Sequence, residues 1–64
     1  MAKLLNVSEA AELLGWSRWT LYRKVEAGEI RYVRLGPQSI RFREEDLNRL
    51  IEDSTIEPEL AAAR

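Results

Sequence analysis

The stretch Asn6-Val7-Ser8-Glu9-Ala10-Ala11-Glu12-Leu13-Leu14-Gly15-Trp16-Ser17 decides how the chain is read. Asn6 can cap a first helical turn, and Glu9, three residues on, can reach back to it, a variant of the capping box. Val7, Ala10, Ala11 and Leu14 then recur at helical spacing, while Glu9 and Glu12 face water. Gly15 can take the left-handed conformation that stops a helix, here after about two turns. Ser17 begins the next element, its hydroxyl placed to cap the amide of Trp19 or Thr20. Gly15-Trp16-Ser17 leaves room only for a tight turn, so the spacing predicts two short helices joined at an angle.

Working outward, Leu21 and Val25 lie four apart and form an apolar stripe, to which Trp16 can add from the turn. At ~100° per residue, Trp19, Arg23 and Glu26 fall on the opposite face of this second helix, with Thr20 and Tyr22 on its flanks. Gly28 ends it. From residue 30 the period changes. Val33 and Leu35 alternate with Tyr32 and Arg34, and Ile40 and Phe42 alternate with Ser39, Arg41 and Arg43. Gly36-Pro37-Gln38 between them is a turn signal. A β-hairpin is expected, with one apolar face and one face on which Arg34 and Arg41 are neighbours. Glu44, Glu45 and Asp46 suit the first turn of a third helix, where the macrodipole favours acids. Leu47, Leu50 and Ile51 would supply its buried stripe. The expected fold is mainly α with a small β-hairpin: a winged helix-turn-helix made of helix-turn-helix, two-stranded wing and third helix. It would occupy residues 1–53. Residues 54–64 would form a C-terminal tail in which Glu59 to Arg64 can make a short helix.

Composition narrows the function classes. A single domain of 64 residues buries a thin core. Without cysteine there is neither a disulfide framework nor a thiolate zinc site. Without histidine the commonest general base and the commonest metal ligand are both missing. No enzyme, cofactor or metal is expected. Glu44, Glu45 and Asp46 point in different directions on a helix and do not converge on one ion. No apolar run approaches the ~20 residues of a membrane span, and no signal peptide precedes the capping pattern, so a cytoplasmic chain is expected. The net charge of -1 argues against nucleic acid until its distribution is considered. Residues 17–43 hold seven basic side chains against two acidic ones, while the rest of the chain holds three against nine. A basic middle between acidic ends attracts phosphate locally even near zero net charge.

The order helix, turn, helix, hairpin, helix resembles the excisionase-like and MerR-like winged helix DNA-binding domains. The residues that carry the likeness begin with Leu5 through Ser17, then Thr20-Leu21-Tyr22-Arg23 and Gly28-Glu29-Ile30. They continue with Val33-Arg34-Leu35-Gly36, Ile40-Arg41-Phe42 and Glu45-Asp46-Leu47. The likeness covers roughly residues 4–52. Trp16 stands where that family usually has a smaller aliphatic residue, and Trp19 where it usually has a polar or basic one. The sequence shows neither an effector domain nor the long dimerisation helix of MerR-type regulators, which favours the excisionase side. The resemblance then implies a recombination directionality factor that binds repeated sites in double-stranded DNA, bends them and helps a phage integrase assemble. A free-standing transcription regulator is the alternative.

The residues expected at the DNA are Ser17, Arg18, Trp19, Thr20, Tyr22, Arg23, Arg34, Gln38, Ser39 and Arg41. Arg23 points away from the apolar stripe, and its guanidinium fork can pair with guanine O6 and N7 in the major groove. Arg18 and Ser17 lie at the helix start, where side chains and backbone amides meet phosphate; Ser17 serves equally well as a plain cap. Thr20 can do the same or touch a thymine methyl. Trp19 has three readings: core under the wing, DNA contact, or part of a protein-binding patch. Its helical angle disfavours core, and DNA is the better of the other two. Tyr22 reads as half-buried support more than as a reader. Two arginines side by side on the wing repel unless an anion lies over them, which a phosphate would supply; the alternative is two splayed, solvated side chains. Gly36, Pro37, Gln38 and Ser39 form a wing tip suited to positioning more than to base reading. Opposite charges at different ends of one chain favour head-to-tail association of protomers along DNA.

Overall fold

The computed structural model describes residues 3–58, in the order β1 (Leu4–Leu5), α1 (Val7–Leu14), α2 (Arg18–Glu26), β2 (Val33–Gly36), β3 (Ser39–Arg43) and α3 (Glu44–Ser54). The helix-turn-helix, hairpin and third helix of the sequence reading are all present. The short helix expected within 59–64 lies outside the described residues.

Each helix starts where its chemistry demands. Asn6 Oδ1 accepts from the Glu9 amide at 2.8 Å, and Glu9 Oε1 accepts from the Asn6 amide at 2.9 Å, completing the capping box. Gly15 ends α1 at φ 72°, and its neighbour Trp16 donates its amide to the Ala11 carbonyl at 2.9 Å. Ser17 Oγ then accepts from the Thr20 amide at 3.1 Å and opens α2. Gly28, at φ 71°, lets the chain leave α2, while Gly28 and Glu29 donate to the carbonyls of Val25 and Lys24. At α3 no side chain caps the start. Glu44, Glu45 and Asp46 offset the dipole there, and the Glu44 amide donates to the Lys3 carbonyl at 2.8 Å.

That last bond adjoins an element the alternation did not suggest. Leu4 and Leu5 form a two-residue strand on the edge of β3, with Leu4 opposite Arg43 and Leu5 opposite Phe42. The sheet is therefore three-stranded and antiparallel, in the order β1-β3-β2. Two residues are too few to show a period, so only tertiary pairing reveals this strand.

The hairpin differs from expectation in register. Val33 lies opposite Arg41 and Arg34 opposite Ile40, so each arginine shares a face with the other strand's aliphatic residue. Directly opposed residues of an antiparallel pair point to the same side, and a one-residue slip exchanges the faces of a whole strand. The cause is a bulge: Arg34 and Gly36 on β2 are matched by the adjacent residues Ile40 and Ser39 on β3, which leaves Leu35 as the extra residue. Leu35 is accordingly 59% exposed and not core. Tyr32 takes the inward place that alternation had assigned to Val33.

The core comprises Leu5, Ala10, Ala11, Leu21, Phe42 and Leu47, with Val7, Leu14, Trp16, Val25, Ile30, Tyr32 and Ile40 packed around it. Phe42, Leu21 and Leu47 are its largest wholly buried side chains. Ala10 and Ala11 allow α1 to pack closely on α2, α3 and β3. The α3 stripe is narrower than expected. Leu47 is buried and Leu50 partly so, but Ile51 is 37% exposed. Among the described residues no helix is long and apolar enough to cross a membrane.

Candidate nucleic-acid interface

Helix α2 is held to the protein by one wholly buried residue, Leu21, flanked by the partly buried Val25 and the preceding Trp16. That single anchor turns the other side of the helix outward. Arg18, Trp19, Tyr22, Arg23 and Glu26 are exposed, and Trp19 is 68% accessible. The core reading of Trp19 is thereby excluded. Water on a tryptophan face is unfavourable, and the structure offers a partial remedy. The Arg23 guanidinium lies over the Trp19 ring, its carbon 4.9 Å from the ring centroid. One turn of helix separates the two, so they are neighbours on a single face.

Tyr22 is 49% exposed, so it is less a packing support than its flanking position suggested. Thr20 is half-buried beside the cap. Ser17 Oγ accepts from the Thr20 amide and donates to Thr20 Oγ1 at 3.0 Å. Its one hydroxyl hydrogen is thus directed at Thr20, and the capping role of Ser17 is met within the helix start.

The wing does not pair its arginines. Arg34 lies on the face of the sheet that also carries Ile40, Phe42 and Leu5, the face against which the helices pack. Arg41 stands with Val33 on the reverse. The expected side-by-side pair is therefore absent, because the bulge at Leu35 places the two on opposite faces. Each guanidinium is tethered separately. Arg34 Nη2 donates to Tyr32 Oη at 3.2 Å and Nη1 donates to the Pro37 carbonyl at 3.3 Å, with the guanidinium over the Tyr32 ring at 5.6 Å. Arg41 Nη1 donates to the Ile40 carbonyl at 2.8 Å in a half-buried setting. Gln38 is exposed in the turn, and Ser39, half-buried, begins β3. The contribution of Tyr32 was missed from sequence, although its place two residues before Arg34 on one strand face was a usable signal.

Two members of the basic middle are partly neutralised. Lys24 Nζ pairs with Glu29 at 3.0 Å, and Arg31 pairs at 3.6 Å with the largely buried Asp46. Lys24 also lies over the Trp16 ring at 5.7 Å, which gives that large turn residue a charged cover. Among the described residues, Arg18, Arg23 and Arg34 enter no ion pair. Among these residues, unpaired positive charge thus stands on the outward side of α2, with Arg18 and Arg23, and on both faces of the wing, with Arg34 on the helix-bearing face and Arg41 and Arg43 on the reverse. Acidic side chains collect elsewhere. Glu9, Glu12 and Glu44 rim a shallow hollow of about 300 Å³ with Lys3, Leu5 and Leu13.

This arrangement is a short helix presenting charge and an aromatic ring, braced by a tight turn and a wing. A family model described as a helix-turn-helix domain matches residues 4–55, most of the chain. The chain belongs to this helix-turn-helix family. The family is a DNA-binding one that includes excisionase-like proteins. In this helix-turn-helix domain α1 and α2 are the paired helices, and α2 is the outward one. The match runs through β1 and α3, so the edge strand and the third helix belong to the domain. No curated protein and no solved structure matches the chain.

Proposed function

We propose that this helix-turn-helix domain is an excisionase-type architectural protein, a recombination directionality factor that binds repeated sites in duplex DNA, bends them and presents the curved DNA to an integrase. The observation that carries the DNA part of this reading is the outward face of α2, where Arg18, Trp19 and Arg23 stand exposed with Arg34 on the helix-bearing side of the wing. Arg23 reads a base edge, Arg18 meets phosphate at the helix start that Ser17 caps, and Thr20 and Tyr22 border the contact. Arg34 takes a flanking phosphate, with Gln38 and Ser39 beside it at the wing tip.

The architectural part rests on scale and charge layout. One protomer of this size offers few phosphate contacts, whereas bending 20–30 bp by 40–90° costs about 1–6 kcal/mol. Several protomers in phase can share that cost. The acidic rim of Glu9, Glu12 and Glu44 gives each copy a surface complementary to a neighbour's basic one, and such heterologous contacts propagate head to tail.

Titration of duplexes carrying one, two and three sites, with dyes at the DNA ends, tests both parts. Rising affinity per site and a bend that grows with occupancy are expected. DNA that stays straight at full occupancy would leave a plain transcription regulator as the better account. Absence of duplex binding would remove the reading altogether.

A further inference from the structure

The pairing of Trp19 with Arg23 carries more than affinity. Resting on the reading of α2 as the base-contacting helix, we propose that the two side chains form one preassembled unit that recognises a guanine with a C5-methyl pyrimidine beside it, in DNA a thymine.

A guanidinium that donates two bonds to guanine O6 and N7 lies near the plane of that base. Whatever covers the flat face of the guanidinium therefore sits at the level of an adjacent base pair, one rise of ~3.4 Å along the strand. The Trp19 ring is near enough to take that place: the Arg23 carbon is 4.9 Å from its centroid, which accommodates one rise plus a lateral offset. The indole is then brought to the major-groove edge of the neighbouring pair. The only apolar group presented there is the C5-methyl of thymine; cytosine, guanine and adenine offer donors and acceptors that an indole face cannot satisfy.

The exposure of Trp19 supports the same assignment. Trp19 is 68% exposed, with Arg23 over its ring, and so has most of its apolar area available for burial. The cation–ring contact also restricts Arg23 before DNA arrives, which lowers the ordering cost of the base contact. Trp19 thus acts twice, as a positioning residue for Arg23 and as the methyl contact.

The test uses the full chain and duplexes recovered by selection from a random pool. Each thymine next to a guanine in the selected site is replaced singly by uracil, which removes one methyl and nothing else. One such replacement should weaken wild-type binding about fourfold, the effect of exposing one buried carbon. Cytosine at that position should bind more weakly than 5-methylcytosine by a similar factor. Trp19→Ala should bind the thymine and uracil duplexes equally, and Trp19→Phe, which keeps a ring, should retain part of the difference. Circular dichroism confirms that both variants are folded. Equal binding of every thymine and uracil pair by wild type would overturn the proposal while leaving α2 as the DNA-binding helix. An undiminished preference for the methyl in Trp19→Ala would overturn it in the same way. Failure to recover any bound duplex would overturn this proposal and the DNA-binding reading together.

Discussion

The register of the hairpin makes a quantitative forecast about salt. Arg34 stands on the sheet face turned to the core that Leu21 of α2 shares with Phe42, and Arg41 on the reverse. A duplex lying along α2 can therefore meet Arg34 and cannot meet Arg41 at the same phosphate. Each phosphate neutralised on B-DNA contributes a slope of about −0.9 to log K against log salt. Between 50 and 200 mM salt, one contact is worth about 3.5-fold in affinity. Arg34→Ala should flatten the slope by about 0.9, so that the variant loses about 3.5-fold less affinity than wild type over that interval. Arg41→Ala should leave the slope within about 0.2 of wild type. In the double variant the effects should add, with a coupling energy below about 0.5 kcal/mol, because the two sites share no ligand.

Fluorescence anisotropy with one labelled duplex, at four salt concentrations for each of the four proteins, is enough to measure this. If each single substitution flattened the slope equally and the second cost nothing after the first, both guanidinium groups would converge on one phosphate. The opposite-face register, and with it the bulge at Leu35, would then be wrong for the bound protein. Arg34 carries a further marker. Its guanidinium is held by Tyr32 Oη and the Pro37 carbonyl, so Tyr32→Phe should weaken binding without changing the slope, since it removes a tether and no charge.

Three other predictions concern the frame. Asn6→Ala removes the side-chain half of the capping box, the Oδ1 that accepts from the Glu9 amide, and should cost about 1 kcal/mol in urea unfolding, against a few tenths for Asn6→Gly. Phe42→Ala removes the largest wholly buried side chain and should cost about 3–5 kcal/mol. That is comparable to the whole stability a core of this size supplies, so circular dichroism at 25 °C should show a largely unfolded chain; a sharp thermal transition close to that of wild type would refute it. Gly28→Ala meets no atom within 4 Å of the added Cβ but must keep φ near 71°. The expected loss is about 1–2 kcal/mol of purely conformational origin, read as a lower urea midpoint with an unchanged slope.

Most of the helical frame was legible because its signals are local. Asn6 and Glu9, Gly15, Ser17 and Gly28 each act within one turn of where they stand, and each performs the role its residue type suggests. The hairpin was legible as an element but not in register. Alternation assigns faces only while the ladder is regular, and the extra residue at Leu35 shifts every assignment before it on β2. That exchange brought Tyr32 inward and divided Arg34 from Arg41. Strand β1 was illegible for a different reason: Leu4 and Leu5 acquire their role only when β3 is already in place. In the candidate site, helical angle placed Trp19 and Arg23 outward correctly. It could not show that they touch, because an i, i+4 spacing permits contact and side-chain rotamers decide it.

The outward face of α2, proposed to face DNA, and the core are coupled through a single point. Leu21 is the one wholly buried residue of α2, and Trp16 and Val25 only flank it. Every residue proposed to read DNA from this helix therefore depends on Leu21 for its angle to the wing. Shortening Leu21 should reduce affinity for all duplexes together with stability, whereas Arg23→Ala should relax preference at one base pair and leave unfolding unchanged. The two signatures separate a frame residue from a reading residue without any structure of the complex. The small buried stripe on α2 fits the same division: burying more of the helix would secure it but would remove from the surface the ring and the guanidinium proposed to give specificity.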